Sequence, residues 1–209
     1  VIVAGAITTW IAFASWDGVA PVHVEEMLWA AAEDPKLDPP TRVYAGLLRA
    51  EARRKRGDLA GAEALRAELG FVDRWMVVGP FDHAGGTGLE TPYQPEAEAT
   101  QPIVPGRAFD GKARTVRWRA AGPGLGATLE LGDLLRPKES ICAYAVAFVE
   151  PAPGTRAPRP LSIWAGATGA FKVFWDGAEV LREVAERTVD EGRMAATIRL
   201  TAGTHRLMI

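Results

Sequence analysis

Up to about residue 70 the apolar positions of this chain recur at one spacing, and beyond it at another. From residue 22 to residue 69 they return every three or four positions, the spacing of one helix face. Pro39-Pro40 open a run from 41 to 56 rich in Ala, Leu, Arg and Glu, on which Val43, Leu47, Leu48 and Ala52 share a face. Gly57-Asp58 break that run, and Asp58 is placed to cap a second helix with Leu59, Ala62, Leu65 and Leu69 inward. An upstream segment, 24–32, stops at the breaker Asp34-Pro35 and reads as a third helix.

From Phe71 the period becomes two. Short runs rich in β-branched and aromatic residues at 75–78, 115–118, 128–131, 142–149, 161–165, 171–175, 179–182, 196–200 and 205–209 are separated by Gly, Pro and Asp. Asp176-Gly177 between two such runs predicts a tight hairpin, because both residues tolerate positive φ. No helical pattern long enough for a parallel crossover lies among them. The pattern predicts an α+β chain: an apolar segment 1–20, a helical region 21–70, and an antiparallel β-sandwich from 71 to 209. The 70–74 connection spans at most about 18 Å, which predicts helices packed close to the sheet edge. The expected core is Trp75, Val77, Trp118, Tyr144, Val146, Phe148, Ile163, Val173 and Leu200.

Composition narrows the function. With 48% apolar residues, 209 positions hold one large core or two small ones. A net charge of −2 with interspersed signs argues against a nucleic-acid binder or a polybasic membrane binder. The basic run Arg53-Arg54-Lys55-Arg56 falls at a helix C-terminus, where cations complement the dipole. Cys142 is the only cysteine, so an internal disulfide and a four-cysteine zinc site are both excluded. On a strand it shares a face with Tyr144, Val146 and Phe148, which reads as a buried structural thiol rather than a nucleophile. Residues 1–14 are apolar and uncharged but short for a membrane span. Ala12-Phe13-Ala14 looks like the end of a signal peptide, yet no basic stretch precedes it, so a signal remnant and a buried first helix both stand.

Chemical motifs are weak. The stretch from Gly106 to Ala113 nearly spells a phosphate loop, but Ala113 stands where a hydroxyl is needed and a strand follows instead of a helix. The glycines at 85, 86 and 88 lack the helix and the downstream acid of a dinucleotide site. No serine sits in a nucleophile elbow, and the histidines form no metal-binding pair. Non-enzymatic, cofactor-free and metal-free is therefore the expectation. The stretch WMVVGPFDHAGGTGLETPYQPE, residues 75–96, stands out. It predicts a strand stopped at Gly79-Pro80, then a glycine-rich covering loop with Phe81 tucked under it and Tyr93 against the sandwich. Asp82 and His83 are its exposed polar contacts, and Tyr93, Glu96 and the turn residue Asp176 complete the candidate ligand-binding set. A hydrolase using Asp82, His83 and Glu96 is an outside reading, requiring the three to converge.

The segment ARRKRGDLAGAEALRAELG resembles a tetratricopeptide hairpin, of which one unit is visible. Further on, 75–96, then VRW, AYAVAFVE, FKVFWDGAEV and IRLTAGTHRLMI resemble, in order, the galactose-binding-like jelly-roll module of large exported bacterial proteins. There it follows tetratricopeptide-like helices and often precedes a transglutaminase-like domain. That family commonly has Asn where Asp176 stands, an Asp pair where GATGAFKV stands, and Asn within its closing strand. The resemblance implies a non-catalytic accessory module, periplasmic or extracellular, with further domains beyond Ile209. Its implied task is carbohydrate binding or the positioning of neighbouring repeats and domains; the alternative is a scaffold with no small ligand. Carbohydrate binding predicts exposed aromatics clustered with acids on one rim, and positioning predicts an exposed apolar patch.

Overall fold

The computed structural model describes residues 21–37, 39–72, 74–122, 129–185 and 194–209. The apolar segment 1–20, with the choice between signal remnant and buried helix, lies outside them. The chain divides into two compact units at Phe71/Val72.

The described residues of the first unit form α1 (Pro21–Glu33), α2 (Pro39–Lys55) and α3 (Leu59–Leu69). α1 packs on α2, and α2 on α3. Asp58 caps α3 by accepting from Gly61 N at 2.9 Å, and Gly70 ends it at φ 78°. Gly46 is where α2 and α3 meet: a Cβ there would lie 2.9 Å from Leu69 Cδ2. The basic run does more than offset the α2 dipole. Buried Glu25 of α1 receives Arg53 at 2.6 Å and Arg56 at 2.6 Å, tying α1 to the α2–α3 turn. Leu59 is exposed, contrary to the sequence expectation, because it stands at the first position of α3. The buried stripe includes Ala62, Leu65 and Arg66, and the Arg66 guanidinium stacks 4.9 Å from the Phe71 ring.

The second unit is built on a six-stranded antiparallel sheet. Its strands are β1 (Trp75–Asp82), β4 (Arg119–Ala121), β5 (Ile141–Val149), β7 (Phe171–Trp175), β8 (Ala178–Glu183) and β10 (His205–Met208), in the order β4-β1-β5-β10-β7-β8. Two further ladders pair β2 (Ala108–Gly111) with β3 (Arg114–Arg117), and β6 (Arg159–Ala165) with β9 (Met194–Leu200). The period-two alternation separates the sheet faces. Val78, Phe81, Tyr144, Val146, Phe174 and Met208 enter one cluster with Phe109, Val116 and Trp118. Val173, Trp175 and Leu207 enter another with Leu161, Ile198 and Leu200 of the β6–β9 ladder. Beside it Val77 and Ala145 meet Leu135. A sheet covered on both faces is compatible with a β-sandwich.

Four sequence expectations change. β1 does not stop at Gly79-Pro80. It absorbs one extra residue between Val78↔Tyr144 and Phe81↔Cys142, a bulge where Pro80 has no N–H to give the ladder. The strand expected at 128–131 is absent over 129–131, where α5 (Leu131–Leu134) begins; Thr128 lies outside the described residues. β2 and β4, with four and three residues, were too short to stand out as periodic runs. Phe148 shares a face with Tyr144 and Val146 yet is 53% exposed, and Trp75 and Ile163 are only partly buried.

Phe174 and Phe148 make a direct comparison. Phe174→Ala is expected to cost about 3–5 kcal/mol, and Phe148→Ala no more than about 0.5–1 kcal/mol. Equilibrium urea unfolding measures both, and equal losses would contradict the assigned burial.

Candidate functional site

The 83–104 segment lies across the aromatic face of the sheet as a cover. It opens with a 3-10 turn, Ala84–Leu89, in which Gly85 and Gly86 adopt φ 65° and 78°, and includes the short helix α4 (Gln94–Ala97). Gly88 is the close approach, since a Cβ there would fall 2.6 Å from His83 Nδ1 and 2.9 Å from Cys142 Sγ.

The cover is bonded to successive strands. Tyr93 stacks on Phe81, centroids 4.9 Å apart, and Phe81, 1% exposed, meets the edge of Tyr144 at 5.6 Å. Tyr93 donates its hydroxyl to Asp82 O at 2.6 Å, and its backbone N–H donates to the Tyr144 hydroxyl at 3.2 Å. The Tyr144 hydroxyl donates in turn to Glu96 Oε2 at 3.0 Å. Glu96 Oε1 accepts from Lys172 Nζ at 3.1 Å, an ion pair whose side chains are 14% and 9% exposed. Arg182 of β8 reaches Glu90 at 2.6 Å, and the Arg206 guanidinium of β10 donates to Ala99 O.

The candidate residues fall in two places. Asp82, His83, Tyr93 and Glu96 belong to the cover and its approach, whereas Asp176 sits in the β7–β8 turn. Asp82 pairs with Lys112 at 3.1 Å and accepts from Ala84 N at 3.2 Å. The Lys112 hydrogen bond, then that of Ala84, holds its carboxyl below the usual range. His83 Nδ1 accepts from Gly88 N at 2.9 Å. Among the described residues no side-chain to side-chain hydrogen bond joins Asp82, His83 and Glu96 to one another. Asp176, at φ 50°, and Gly177, at φ 84°, form the predicted hairpin turn. Its carboxylate bonds His205 Nδ1 at 2.7 Å and accepts from Arg206 N at 2.8 Å, while His205 stacks on Trp175 at 4.8 Å.

Two lysines escaped the sequence reading. Lys172 was the one signal available, a single charge between aromatics in FKVFW, a strand whose five residues are all buried. Lys112 stood in the near phosphate loop; that stretch is the β2–β3 hairpin, with Lys112-Ala113 at its turn. Lys112 also donates from Nζ to Ser140 O at 2.7 Å and from its backbone N–H to Pro80 O at 2.7 Å.

The cleft beside the cover is small, about 20 Å³, and is lined by residues such as Glu98, Ile103, Arg107 and Arg206. That is room for one water rather than a sugar ring. Among the described residues no His, Cys, Asp and Glu cluster could hold a metal, and no helix is long and apolar enough to cross a membrane. The molecule is an α+β protein built on a six-stranded antiparallel sheet. The chain matches no family model, no curated protein and no solved structure.

Two measurements follow from this geometry. Cys142 is half-buried rather than fully buried, and that partial burial pushes its thiol up to about 11, so alkylation of the native protein at pH 8 is expected to be slower than after unfolding; equal rates would refute that placement. The Asp176 hydrogen bond raises the His205 pKa above its ordinary 6.5, outweighing the opposing effect of burial. Its contribution is therefore fully present below about pH 6.5 and lost as pH rises through the raised folded value. Asp176→Asn should remove that part of the pH dependence in urea titrations between pH 6 and 9, and an unchanged slope would contradict the pairing.

Proposed function

We propose that the chain is a non-catalytic accessory module that positions neighbouring domains of a larger exported bacterial protein. In this reading residues 21–70 are a tetratricopeptide-like helical hairpin and its neighbour helix. Residues 71–209 are a galactose-binding-like jelly roll, and the protein acts in the periplasm or outside the cell. The sequence resemblance supports the family and the location; the two-faced antiparallel sheet accommodates the jelly roll.

One observation carries the choice of task. Three candidate polar side chains of the cover and its approach are each held by an internal partner: Asp82 by Lys112, His83 by Gly88, Glu96 by Tyr144 and Lys172. Groups so engaged hold a loop in place, and turning them to a ligand would first break those bonds. The exposed apolar side chains support the same reading. Phe148, Val104 and Val184 lie open on the second unit, and Val22, Met27, Trp29 and Leu59 on the first.

Carbohydrate binding is the second reading, and Asp82 favours it. Its side chain is 53% exposed at the mouth of the Phe81–Tyr93 stack, where a pyranose could meet an aromatic edge and a carboxylate. A glycan array probed with the wild type and Asp82→Ala separates the two. The positioning reading expects no saturable signal from either. A signal lost in Asp82→Ala, with unfolding unchanged, would replace it with the carbohydrate reading.

A further inference from the structure

β10 lies between β5 and β7 in the sheet but does not run the length of either. It has four residues, and with Ile209 it is paired along β5 as far as Ala145 and along β7 as far as Phe174. β5 begins four residues before Ala145, at Ile141, and β7 three residues before Phe174, at Phe171. The N-terminal ends of these two strands therefore flank a groove one strand wide, about 10 Å between backbones.

The alternation of an antiparallel ladder fixes what each wall presents. Ala145 exchanges both backbone bonds with Ile209, at 2.8 and 2.9 Å, so Ala143, two residues earlier, also turns its N–H and C=O toward the groove. Asp176 N donates to Arg206 O at 2.9 Å, so Phe174 and Lys172, at even spacing from it, turn their backbone groups to the same side. Tyr144 and Val173 turn the other way, into the β1 and β8 ladders. Among the described residues no hydrogen bond engages the backbone N–H of Ala143 or of Lys172. Glu96 of the cover spans the groove from above, bonded to the Tyr144 hydroxyl on one wall and to Lys172 Nζ on the other.

We propose that this groove seats an extended segment of the larger protein, running in line with β10 and hydrogen-bonded to β5 and β7 at once. A peptide backbone offers donors and acceptors alternately to two facing strands at that spacing, whereas a sugar or a small anion would leave one wall without partners. The register dictates the side chains as well. A residue between Tyr144 and Lys172 lies beneath Glu96 and has to be small. The next, between Ala143 and Phe171, points to the opposite face, where Phe171 and Val173 are buried with Ile198 and Leu200, and is apolar. The proposal rests on the module reading and names where the larger protein joins this sheet. The glycan array tests that reading and amide exchange tests the groove, so the two fail separately.

The test extends the chain after Ile209 with Ser-Val-Thr-Val, or with Ser-Pro-Thr-Pro, whose prolines have no N–H to give Ala143 O, and follows amide exchange by NMR. Without an extension, the Ala143 and Lys172 amides are expected to exchange at least roughly tenfold faster than those of Tyr144 and Val173. Ser-Val-Thr-Val should slow both by roughly tenfold or more, and Ser-Pro-Thr-Pro should leave them fast. Trp in place of the added Ser should abolish the slowing, because Glu96 closes the groove above that position. Slow exchange at Ala143 and Lys172 without any extension, equal exchange with the two extensions, or slowing that survives the added Trp would overturn the proposal.

Discussion

A lysine buried on one face of the sheet sets the terms for the rest of the second unit. Lys172 alternates with Phe171 and Val173 along β7 and so must point to the face that also holds Phe174. Leaving its ammonium there unpaired would cost several kcal/mol, on the order of the penalty for any buried charge. Glu96 relieves that cost only if the cover brings α4 over β7. The ion pair therefore dictates where the cover goes. Tyr144 then fixes the second carboxylate oxygen and the Tyr93 backbone together. Burial, followed by the adjacent Glu96 charge, drives the Tyr144 phenol far above its ordinary pKa, so it stays a donor throughout the working pH range.

That constraint explains the glycines as well. For Glu96 to land over β7, the chain must turn back immediately after β1, and Gly85 and Gly86 supply two positive φ values in succession. Phe81 is delivered under the cover by the bulge at Gly79-Pro80, whose extra residue turns it onto the face of Val78, three positions earlier. Polar groups that would serve ligand chemistry in an open loop are here spent on holding the lid shut. Phe148, by contrast, stays exposed, with the Arg206 guanidinium over its ring.

The helices, most strands and the Asp176-Gly177 turn were legible because each obeys a local rule: a period, a cap, or a residue that tolerates positive φ. Asp58 needed only its own sequence context to be read as a cap. The continuation of β1 past Pro80 was not legible, because the bulge depends on what β5 offers opposite it. Phe148 was misread because alternation reports which face a side chain takes, while burial depends on how far the cover extends. Lys172 and Lys112 were missed for the same reason. Their partners, Glu96 and Asp82, are distant in sequence and meet them only in the fold.

The dependence of the cover on one ion pair is most directly measured by a double-mutant cycle between Glu96 and Lys172, using Glu96→Gln, Lys172→Met and the combination. Each single change should cost about 3–5 kcal/mol, because it strands the other charge in a nearly closed site. The double variant should recover part of that loss, giving a coupling of about 1–3 kcal/mol. Unfolding free energies that add to within about 0.5 kcal/mol would show that the two charges do not depend on each other, and the account of the cover would fall.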